Sequence, residues 1–360
     1  MPIYMDFHVF DNVTIDEVKQ AHVADKSVQN KYGVKYLQFW VNEKLGTVFC
    51  LMEGPSKEVC SQVHKEAHGN VACNMTEVKS GFYELFMGSN PKLDHGLVLK
   101  QKGRVDEGLR YLLMVDIVGL TEAKGLDDFE NLIDIGKQRK LVSTILEGFR
   151  GSEIKNMWDD TILAVFDQDD FAIQAAIKIK DALLKNIGLS EFKVTLSLGQ
   201  PLTEHHGFFE KALNRCQQLN LVANKNEAVF DSRIEISKEL QHTILDNGIR
   251  CLDKKEGEFL TSFFKIIQSN ISNSNLNITF LVDKLGMSRP QIYRKIIQIS
   301  GRSPVHFIRD IRLRKALALI SKNTFSISEI SYQVGYENPS YFSKCFLARY
   351  GVSPSKILVA

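Results

Sequence analysis

Apolar positions in the first part of the chain follow strand periods and helix periods in turn. Residues 3–10 alternate apolar and polar side chains, which predicts a β-strand. Thr14, followed three residues later by Glu17, forms a capping box, which predicts a helix running to about Asn30. Two segments rich in aromatic and β-branched residues predict a hairpin of two further strands, VKYLQFWV and GTVFCLME.

A second helix is predicted from Ser56 through His68, and the segment CNMTEVKS predicts a last strand. The resulting order, βαββαβ, is typical of a small α+β sandwich of ferredoxin-like type. We therefore expect a first domain over residues 1–85. Residues 86–108 are rich in glycine and polar residues, which predicts a linker.

Residues 109–250 predict a second α/β unit, in which the buried strand RYLLMVDIVGL is followed by a helix from about Asp128 to Phe149. Paired strands, an amphipathic helix, another strand, a helix and a final strand are then predicted, in SEIKNMW, TILAVFD, DFAIQAAIKIKDALLKN, FKVTLSLGQPL, KALNRCQQLNLVA and EAVFDS. After a polar junction, DNGIRCLDKKEGE, the pattern from Glu258 onward indicates only short helices separated by turns, and we expect residues 251–360 to form the C-terminal domain. The fold class expected is multidomain α+β with an all-α C-terminal part.

Two segments of this helical part share one arrangement: a helix, a glycine turn and a second helix with an N-terminal cap and an early proline. The first turns at Gly286 and is capped by Ser288, and the second turns at Gly335 and is capped by Asn338. Each pair predicts a helix-turn-helix, whose second helix buries one face and presents polar side chains on the other. The candidate DNA-contacting residues are Arg289, Pro290, Gln291, Tyr293, Arg294, Lys295, Pro339, Ser340, Tyr341, Ser343 and Lys344.

Charge is distributed unevenly along the 360 residues. Residues 255–360 contain fifteen Lys and Arg against six Asp and Glu, a net charge of +9, so the preceding residues carry −7 of the total +2. A basic C-terminal part indicates a polyanionic partner, although composition alone also allows a surface that is merely basic.

The six cysteines form no CxxC pair, which is typical of reduced thiols in the cytoplasm. No run of about 18 apolar residues predicts a membrane span, and the start MPIYMDFHVF lacks the basic region of a signal peptide. We therefore expect a cytoplasmic protein with no membrane partner.

The helical part resembles the AraC-type double helix-turn-helix module over residues 258–357, through LVDKLGMSRPQIYRKIIQISGRSPVHFIRDIRLRKALALI and SISEISYQVGYENPSYFSKCFLARYGVSPSKI. The resemblance implies that two recognition helices enter successive major grooves of double-stranded DNA. It places base readers at Pro290, Gln291, Tyr293 and Arg294, and at Pro339, Ser340, Ser343 and Lys344. The alternative is a structural bundle of helices that does not bind DNA.

Histidine and cysteine are concentrated in the first 80 residues, which hold four of the nine histidines and three of the six cysteines. In the segment HKEAH, His64 and His68 are four residues apart and lie on one helix face. The segment matches neither HExxH nor HxxEH, so the spacing indicates metal binding rather than proteolysis. Each histidine taken alone also has an ordinary structural explanation, such as capping a helix end.

Taken together, the His, Cys and carboxylate side chains suit Ni²⁺, Zn²⁺ or Cu²⁺ better than Mg²⁺ or Ca²⁺. Residues 2–80 resemble the small nickel-binding proteins of ferredoxin-like fold, through YMDFHVF, AHVADKSVQNKYGVKYLQFWV, GTVFCLMEGPSKEVCSQVHKEAHG and TEVKSG. The resemblance implies nickel or a similar ion. The candidate ligands are His8, His22, Cys50, His64 and His68, with Asp25 and Glu53 as extra or supporting ligands.

Residues 110–232 resemble the class III nucleotidyl cyclase domain, through LLMVDIVGLTEA and EIKNMWDDTILAVF. The resemblance places metal aspartates at Asp116 and Asp159, a base-contacting lysine at Lys155 and a catalytic asparagine at Asn214. Four positions depart from the family pattern, namely Trp158, Asp160, Lys211 and Gln218. Gln218 stands where an arginine would stabilise the transferring phosphate, so we expect no cyclase activity. A relic nucleotide site and a role in dimerisation remain open.

These observations predict a one-component transcription regulator, not an enzyme, that acts as a homodimer under the control of a nickel-like metal or a small ligand. The first alternative is a nucleotidyl cyclase, or a nucleotide-binding sensor, fused to a DNA-binding module. A second alternative is a sensor whose N-terminal domain binds an organic ligand, with the histidines incidental.

Overall fold

The computed structural model describes residues 1–118, 129–155, 161–186 and 191–359. The first six elements follow the predicted order, βαββαβ. They are β1 (Ile3–Val9), α1 (Ile15–Tyr32), β2 (Lys35–Asn42), β3 (Thr47–Glu53), α2 (Lys57–Ala67) and β4 (Asn74–Val78). The capping box at Thr14 is present, and the Ser56 side chain accepts a hydrogen bond from the backbone N–H of Val59. Local sequence signals therefore fix where both helices begin.

The four strands lie in the order β4-β1-β3-β2 and pair antiparallel, which is the ferredoxin-like arrangement expected. Asp6 on β1 lies directly opposite Cys50 on β3. One face of the sheet is covered by α1 and α2 around Tyr36, Phe39 and Met52.

The prediction of a linker over residues 86–108 is wrong, because this segment adds to the first sheet. It contains the end of α3 (Tyr83–Met87), then β5 (Lys92–Asp94) and β6 (Leu97–Leu99). The backbone N–H of Phe39 on β2 donates to the carbonyl of Gly96 at 2.8 Å, next to the pairing of β6 with β2. The strands are only three residues long, so no periodic pattern revealed them in the sequence.

The second unit contains a second sheet with helices on both faces. Its elements are β7 (Arg110–Val118), α4 (Phe129–Gly148), β8 (Ser152–Ile154), β9 (Thr161–Phe166), α5 (Asp169–Lys185), β10 (Glu191–Gly199), α6 (Glu210–Val222), β11 (Glu227–Phe230), α7 (Lys238–Asp246) and β12 (Arg250–Cys251). The strand order is β12-β11-β10-β7-β9-β8. Its part β10-β7-β9-β8 repeats the ferredoxin-like order of the first sheet, with two parallel strands added. The cyclase-like assignment of this unit stays a prediction.

The two sheets pack against each other through the faces that α1, α2, α4 and α5 leave uncovered. Phe7, Trp40 and Phe49 of the first sheet join one core with Met114 and Leu163 of the second. The first two domains are therefore joined by a continuous apolar layer, and each sheet is covered on both faces.

The C-terminal part is helical, as expected. Its elements are α8 (Lys254–Ser269), α9 (Ile278–Leu285), α10 (Arg289–Ser300), α11 (Pro304–Ile320), α12 (Ile327–Gln333), α13 (Pro339–Tyr350) and α14 (Pro354–Val359). The first helix-turn-helix shares a core with the end of α6, where Leu219 and Val222 contact the apolar faces of α8 and its neighbours. The second helix-turn-helix has its own core around Phe342 and Phe346.

The junction between the second unit and the helical part is also ordered. Arg250 on β12 pairs with Glu227 and donates to the carbonyls of Val222 and Ile299. None of the helices within the described ranges is long and apolar enough to cross a membrane.

Arg110 fixes the segment that was expected to be a linker, and its loss should destabilise the protein. Its buried guanidinium donates to the Asp106 carboxylate at 2.8 and 2.9 Å and to the carbonyl of Phe86 at 2.7 Å. We expect Arg110→Gln to lower the free energy of unfolding by about 3–5 kcal/mol, because the Asp106 charge stays buried without its partner.

Urea denaturation followed by circular dichroism measures this change. The matched control is Lys44→Gln, which breaks an exposed pair with Glu235 and should leave the unfolding midpoint unchanged. Equal midpoints for wild type and Arg110→Gln would contradict the anchoring role.

Candidate functional site

A cluster of buried titratable side chains lies between the first sheet and its two covering helices. Because side chains alternate between the two faces of β1, Asp6 and His8 both point toward the helices. The N-terminal caps fix where α1 and α2 begin, and this places Asp25 and His64 on the helix faces that lie toward the sheet. All four side chains are buried, and His68 closes the cluster at the end of α2.

His64 lies at the centre of the cluster, and its two ring nitrogens face different carboxylates. Nε2 is 2.6 Å from Asp6 Oδ2, and Nδ1 is 3.1 Å from Asp25 Oδ1. His8 Nε2 lies 3.4 Å from the same Asp6 oxygen, and His68 Nε2 lies 3.2 Å from the same Asp25 oxygen. The arrangement gives two overlapping groups of candidate metal ligands, Asp6, His8 and His64, and Asp25, His64 and His68, whose ligand atoms lie within 4.8 Å of one another in each group.

The electrostatics of the cluster favour a positive charge on His64. Burial disfavours the imidazolium, but the Asp6 and Asp25 carboxylates outweigh burial and raise the pKa of His64 to about 10. Burial likewise works against an ionised Asp6, yet His8 and His64 hold its pKa well below the usual value. At neutral pH an imidazolium therefore lies between two carboxylates and balances their negative charge.

His22 and Cys50 line the same small pocket, outside the two tight groups. Among the described residues, neither ring nitrogen of His22 has a hydrogen-bond partner, although the residue is 2% exposed. Burial, reinforced by Lys26, lowers the pKa of His22 to about 4, so its imidazole is neutral and keeps a free lone pair. A buried imidazole without a partner costs folding free energy unless another group, such as a metal ion, binds its lone pair.

These residues fit a divalent transition-metal ion. Ligand atoms bound at about 2.1 Å lie roughly 3–3.4 Å apart. The atom pairs in direct contact in the cluster are 2.6–3.4 Å apart, and all candidate ligand atoms of each group lie within 4.8 Å of one another. Imidazole nitrogens with a few carboxylates suit Ni²⁺, Cu²⁺ or Zn²⁺. The pocket of about 40 Å³ has room for a single ion or water molecule.

The structure gathers most of the predicted metal ligands and separates one from them. His8, Asp25, His64 and His68 lie together, with His22 and Cys50 in the pocket wall. Glu53 lies on β3 at odd spacing from Cys50, beside Phe49 and Leu51, whose side chains face the second sheet. Strand alternation therefore directs it away from the cluster.

The sequence-based ligand set omitted Asp6, which the structure places at the centre of the first group. Its signal was available, because Asp6 shares a strand face with His8. The Asp6 carboxylate also accepts a hydrogen bond from the backbone N–H of Cys50 at 2.9 Å, which fixes its orientation. The thiol of Cys50 is buried, and burial raises its pKa well above the ordinary value.

The two helix-turn-helix units present the predicted reading faces to solvent. Gly286 and Gly335 both have positive φ, and a Cβ at Gly335 would lie 2.5 Å from the carbonyl oxygen of Ile271. Ser288 and Asn338 cap the second helix of each unit. The exposed candidates are Arg289, Pro290, Gln291, Tyr293 and Arg294 on α10 and Ser340, Tyr341 and Lys344 on α13.

Three other candidates are partly buried. The ammonium of Lys295 lies 5.3 Å from the centre of the Phe259 ring and so packs on α8. Ser343 donates to the carbonyl of Pro339 at 3.0 Å within its own helix, and both residues are half-buried. Of these, Lys295 has the position least suited to DNA contact.

The residues suggested by the cyclase resemblance do not form one cluster in the described ranges. Asp116 and Asn214 line a large cavity beside α6, whereas Lys155 is exposed after β8 and does not belong to the described lining. Asp159, Trp158 and Asp160 lie outside the described residues.

Family comparisons agree with the two outer domains. Residues 4–78 match the family described as "Nickel responsive protein SCO4226-like", and residues 281–358 match the family described as "Helix-turn-helix domain". The chain therefore has an N-terminal part similar to the nickel-responsive family and a C-terminal part similar to AraC-type helix-turn-helix domains. The cyclase resemblance of the middle unit is not confirmed by them.

Individual relatives cover one domain at a time. The chain is 38% identical over 28% of its length to Histidine kinase P4 of Formosa agariphila, covering 7% of that protein. It is 36% identical over 22% of its length to the HTH-type transcriptional regulator MtrA of Neisseria gonorrhoeae, covering 27% of that protein. The crystal structure of SCO4226 from Streptomyces coelicolor A3(2) is 39% identical, with 21% of this chain and 94% of that chain covered and a TM-score of 0.21. The chain thus spans less than a third of the length of either curated relative.

The stability of the metal-free protein should fall as the pH rises from about 6.5 to about 10. The folded state raises the pKa of His64 from 6.5 to about 10, so its contribution is complete below pH 6.5 and is lost as the pH passes 10. One proton changes the unfolding free energy by at most about 1.4 kcal/mol per pH unit. Urea denaturation at several pH values, with chelator present, measures the slope. His64→Gln should flatten it, and parallel curves would contradict the charged cluster.

Substitutions of Arg294 and of its neighbour Lys295 should have different effects on DNA affinity. We expect Arg294→Gln to weaken binding by roughly 5- to 100-fold, since an exposed side chain on a reading face loses its contact. Lys295→Gln should weaken binding much less, because its ammonium packs on Phe259. Fluorescence anisotropy with DNA selected from a random pool gives both constants. Equal losses for the two variants would contradict this orientation of α10.

Proposed function

We propose that this chain is a one-component transcription regulator of AraC type, in which nickel or a similar divalent ion at the N-terminal domain controls binding of double-stranded DNA. The observation that carries the proposal is the buried cluster around His64, in a chain that also has two capped helix-turn-helix units. The nickel-responsive and helix-turn-helix family matches support it from independent segments.

The residues that would hold the ion are Asp6, His8 and His64, with Asp25, His68 and His22 completing or supporting the set. A divalent ion there would supply positive charge between β1, α1 and α2. His64 must give up its proton before its nitrogen can act as a ligand, so binding couples to proton release. The neutral His22 could then supply a nitrogen without losing a proton.

Control of DNA binding requires the ion to favour one arrangement of the domains over another. The continuous core between the two sheets links the metal-binding domain to the middle unit. The core shared by α6 and α8 links the middle unit to the first helix-turn-helix. A change in packing at the first sheet thus has a physical route to α10.

We further propose that the chain acts as a homodimer, because closed twofold dimers are the commonest assemblies of soluble proteins. The alternative of a nucleotidyl cyclase is not favoured. Gln218 lies on the cavity wall in the position where a phosphate-stabilising arginine is expected from the resemblance.

The decisive experiment titrates selected DNA with the full chain, prepared without a histidine tag, in the presence and absence of Ni²⁺. We expect Ni²⁺ to shift the dissociation constant by about tenfold in either direction, corresponding to a coupling free energy of about 1.4 kcal/mol. Nickel content of the purified protein, measured by elemental analysis, accompanies the titration.

His64→Gln should abolish both nickel binding and the shift. The matched control is His95→Gln, because His95 is exposed, pairs with Asp94 and lies outside the cluster. If Ni²⁺ binds but the dissociation constant for DNA does not change, the chain binds metal and is not a metal sensor. If Ni²⁺ has the same effect on DNA titrations of the wild type and of His64→Gln, the proposal is wrong.

A further inference from the structure

A cavity of about 1270 Å³ lies between the middle unit and the DNA-binding part, beside the core that they share. Its walls come from β7, β10 and α6 on one side and from α8, α11 and the end of α13 on the other. Small-molecule sites in proteins commonly have volumes of roughly 300–1,000 Å³, so the space can hold an organic ligand. The metal-binding cluster lies on the far side of the first sheet and contributes none of the described lining residues.

The described lining is strongly positive, with seven Lys and Arg side chains against three carboxylates. The cations are Lys193, Lys225, Arg302, Arg314, Lys315, Lys322 and Arg349, and the carboxylates are Asp116, Glu191 and Asp310. Two of these carboxylates already have partners, because Lys225 pairs with Glu191 at 2.6 Å and Arg302 pairs with Asp310 at 2.9 Å. Four further cations, Lys193, Arg314, Lys315 and Lys322, line the cavity, which is partly open to solvent.

Two of the cations are held in place by neutral groups. Lys193 donates to the backbone carbonyl of Asn220 at 3.2 Å, and Arg314 donates to the side-chain oxygen of Asn220 at 2.6 Å. Across the described ranges, no carboxylate lies within ion-pair distance of either side chain. Burial lowers the pKa of Lys193 to about 8, and nearby Arg302 and Arg314 add to that effect while Asp116 opposes it.

We propose that this cavity binds a small phosphorylated organic molecule, held by Lys193, Arg314 and Lys315. An anion there would balance the charge of Arg314 and Lys315, and that of Lys193, whose cross-strand neighbour Asp116 forms no ion pair with it within the described ranges. A guanidinium together with ammonium groups is a combination suited to phosphate oxygens. The site is independent of the metal cluster and would act as a second effector site.

The position of the cavity gives such a ligand a regulatory role. Lys193 belongs to the middle unit, whereas Arg314 and Lys315 belong to α11, the helix that joins the two helix-turn-helix units. A ligand bridging them stabilises the observed placement of the DNA-binding part relative to the middle unit. The cavity is distinct from the proposed DNA-binding surface, because the exposed reading residues of α10 are not among its described lining residues.

The test uses the metal-free 360-residue chain and inorganic tripolyphosphate as the probe, with citrate as an anion lacking phosphate, at matched ionic strength. Isothermal titration calorimetry measures affinity, and hydrogen exchange measures protection of α6 and α11. We expect tripolyphosphate to bind, to protect both helices and to bind more tightly than citrate. Failure of the wild type to bind tripolyphosphate, or equal binding of citrate, would overturn the proposal.

Variants decide where the probe binds. Arg314→Gln and, separately, Lys193→Met should each weaken tripolyphosphate binding by roughly tenfold or more, since each removes a charge-assisted contact. Arg294→Gln removes the same charge from the DNA-reading face, and Lys185→Gln removes one from an exposed position on α5. Both controls should retain the wild-type affinity.

Circular dichroism confirms that each variant is folded, and Lys315→Gln provides a further cavity variant if either of the others unfolds. A loss of affinity in Arg294→Gln with none in Arg314→Gln would place the probe on the DNA-reading face and overturn the proposal. Metal binding by the N-terminal cluster is measured separately with Ni²⁺, so its failure would not affect this result.

Discussion

The first sheet is buried on both faces, and the chemistry of the N-terminal domain depends on that constraint. One face lies under α1 and α2, and the other packs on the second sheet through Phe7, Trp40 and Phe49. Asp6 consequently has no exposed surface, so its charge must be balanced by protein groups or a bound ion. The His64 imidazolium supplies that balance in the metal-free protein, and the same carboxylates make the position attractive to a divalent cation.

The elements that could be predicted from the sequence are those specified by local signals. The capping box at Thr14 and the caps at Ser56 and Asn338 correctly predicted where their helices begin. The alternation of side chains along the first strand indicated that Asp6 and His8 share a face. The segment after α3 could not be predicted, because its short strands depend on pairing with β2 and on Arg110, a contact made only in the folded chain. A high content of glycine therefore did not mean a loose linker.

The candidate site was also predictable only as far as local spacing along one helix or strand specified it. The four-residue spacing of His64 and His68 on one helix face indicated a shared site, and the structure brings Asp25 to both. The roles of Asp6 and Glu53 required knowledge of which sheet face is covered by helices and which by another sheet. Lys295 shows the same limit, because a basic residue on a recognition helix can extend along a neighbouring aromatic ring instead of toward DNA.

Helix α6 takes part in the packing of all three parts of the molecule. Ala212 and Cys216 near its start belong to the core between the two sheets, while Leu219 and Val222 near its end belong to the core of the first helix-turn-helix. A close-packed helix moves largely as a unit, so a displacement at one end is transmitted to the other. The wall of the basic cavity includes residues of the same helix. The metal cluster and the cavity could therefore act on the DNA-reading helices through one mechanical element, even though the two sites share no described lining residue.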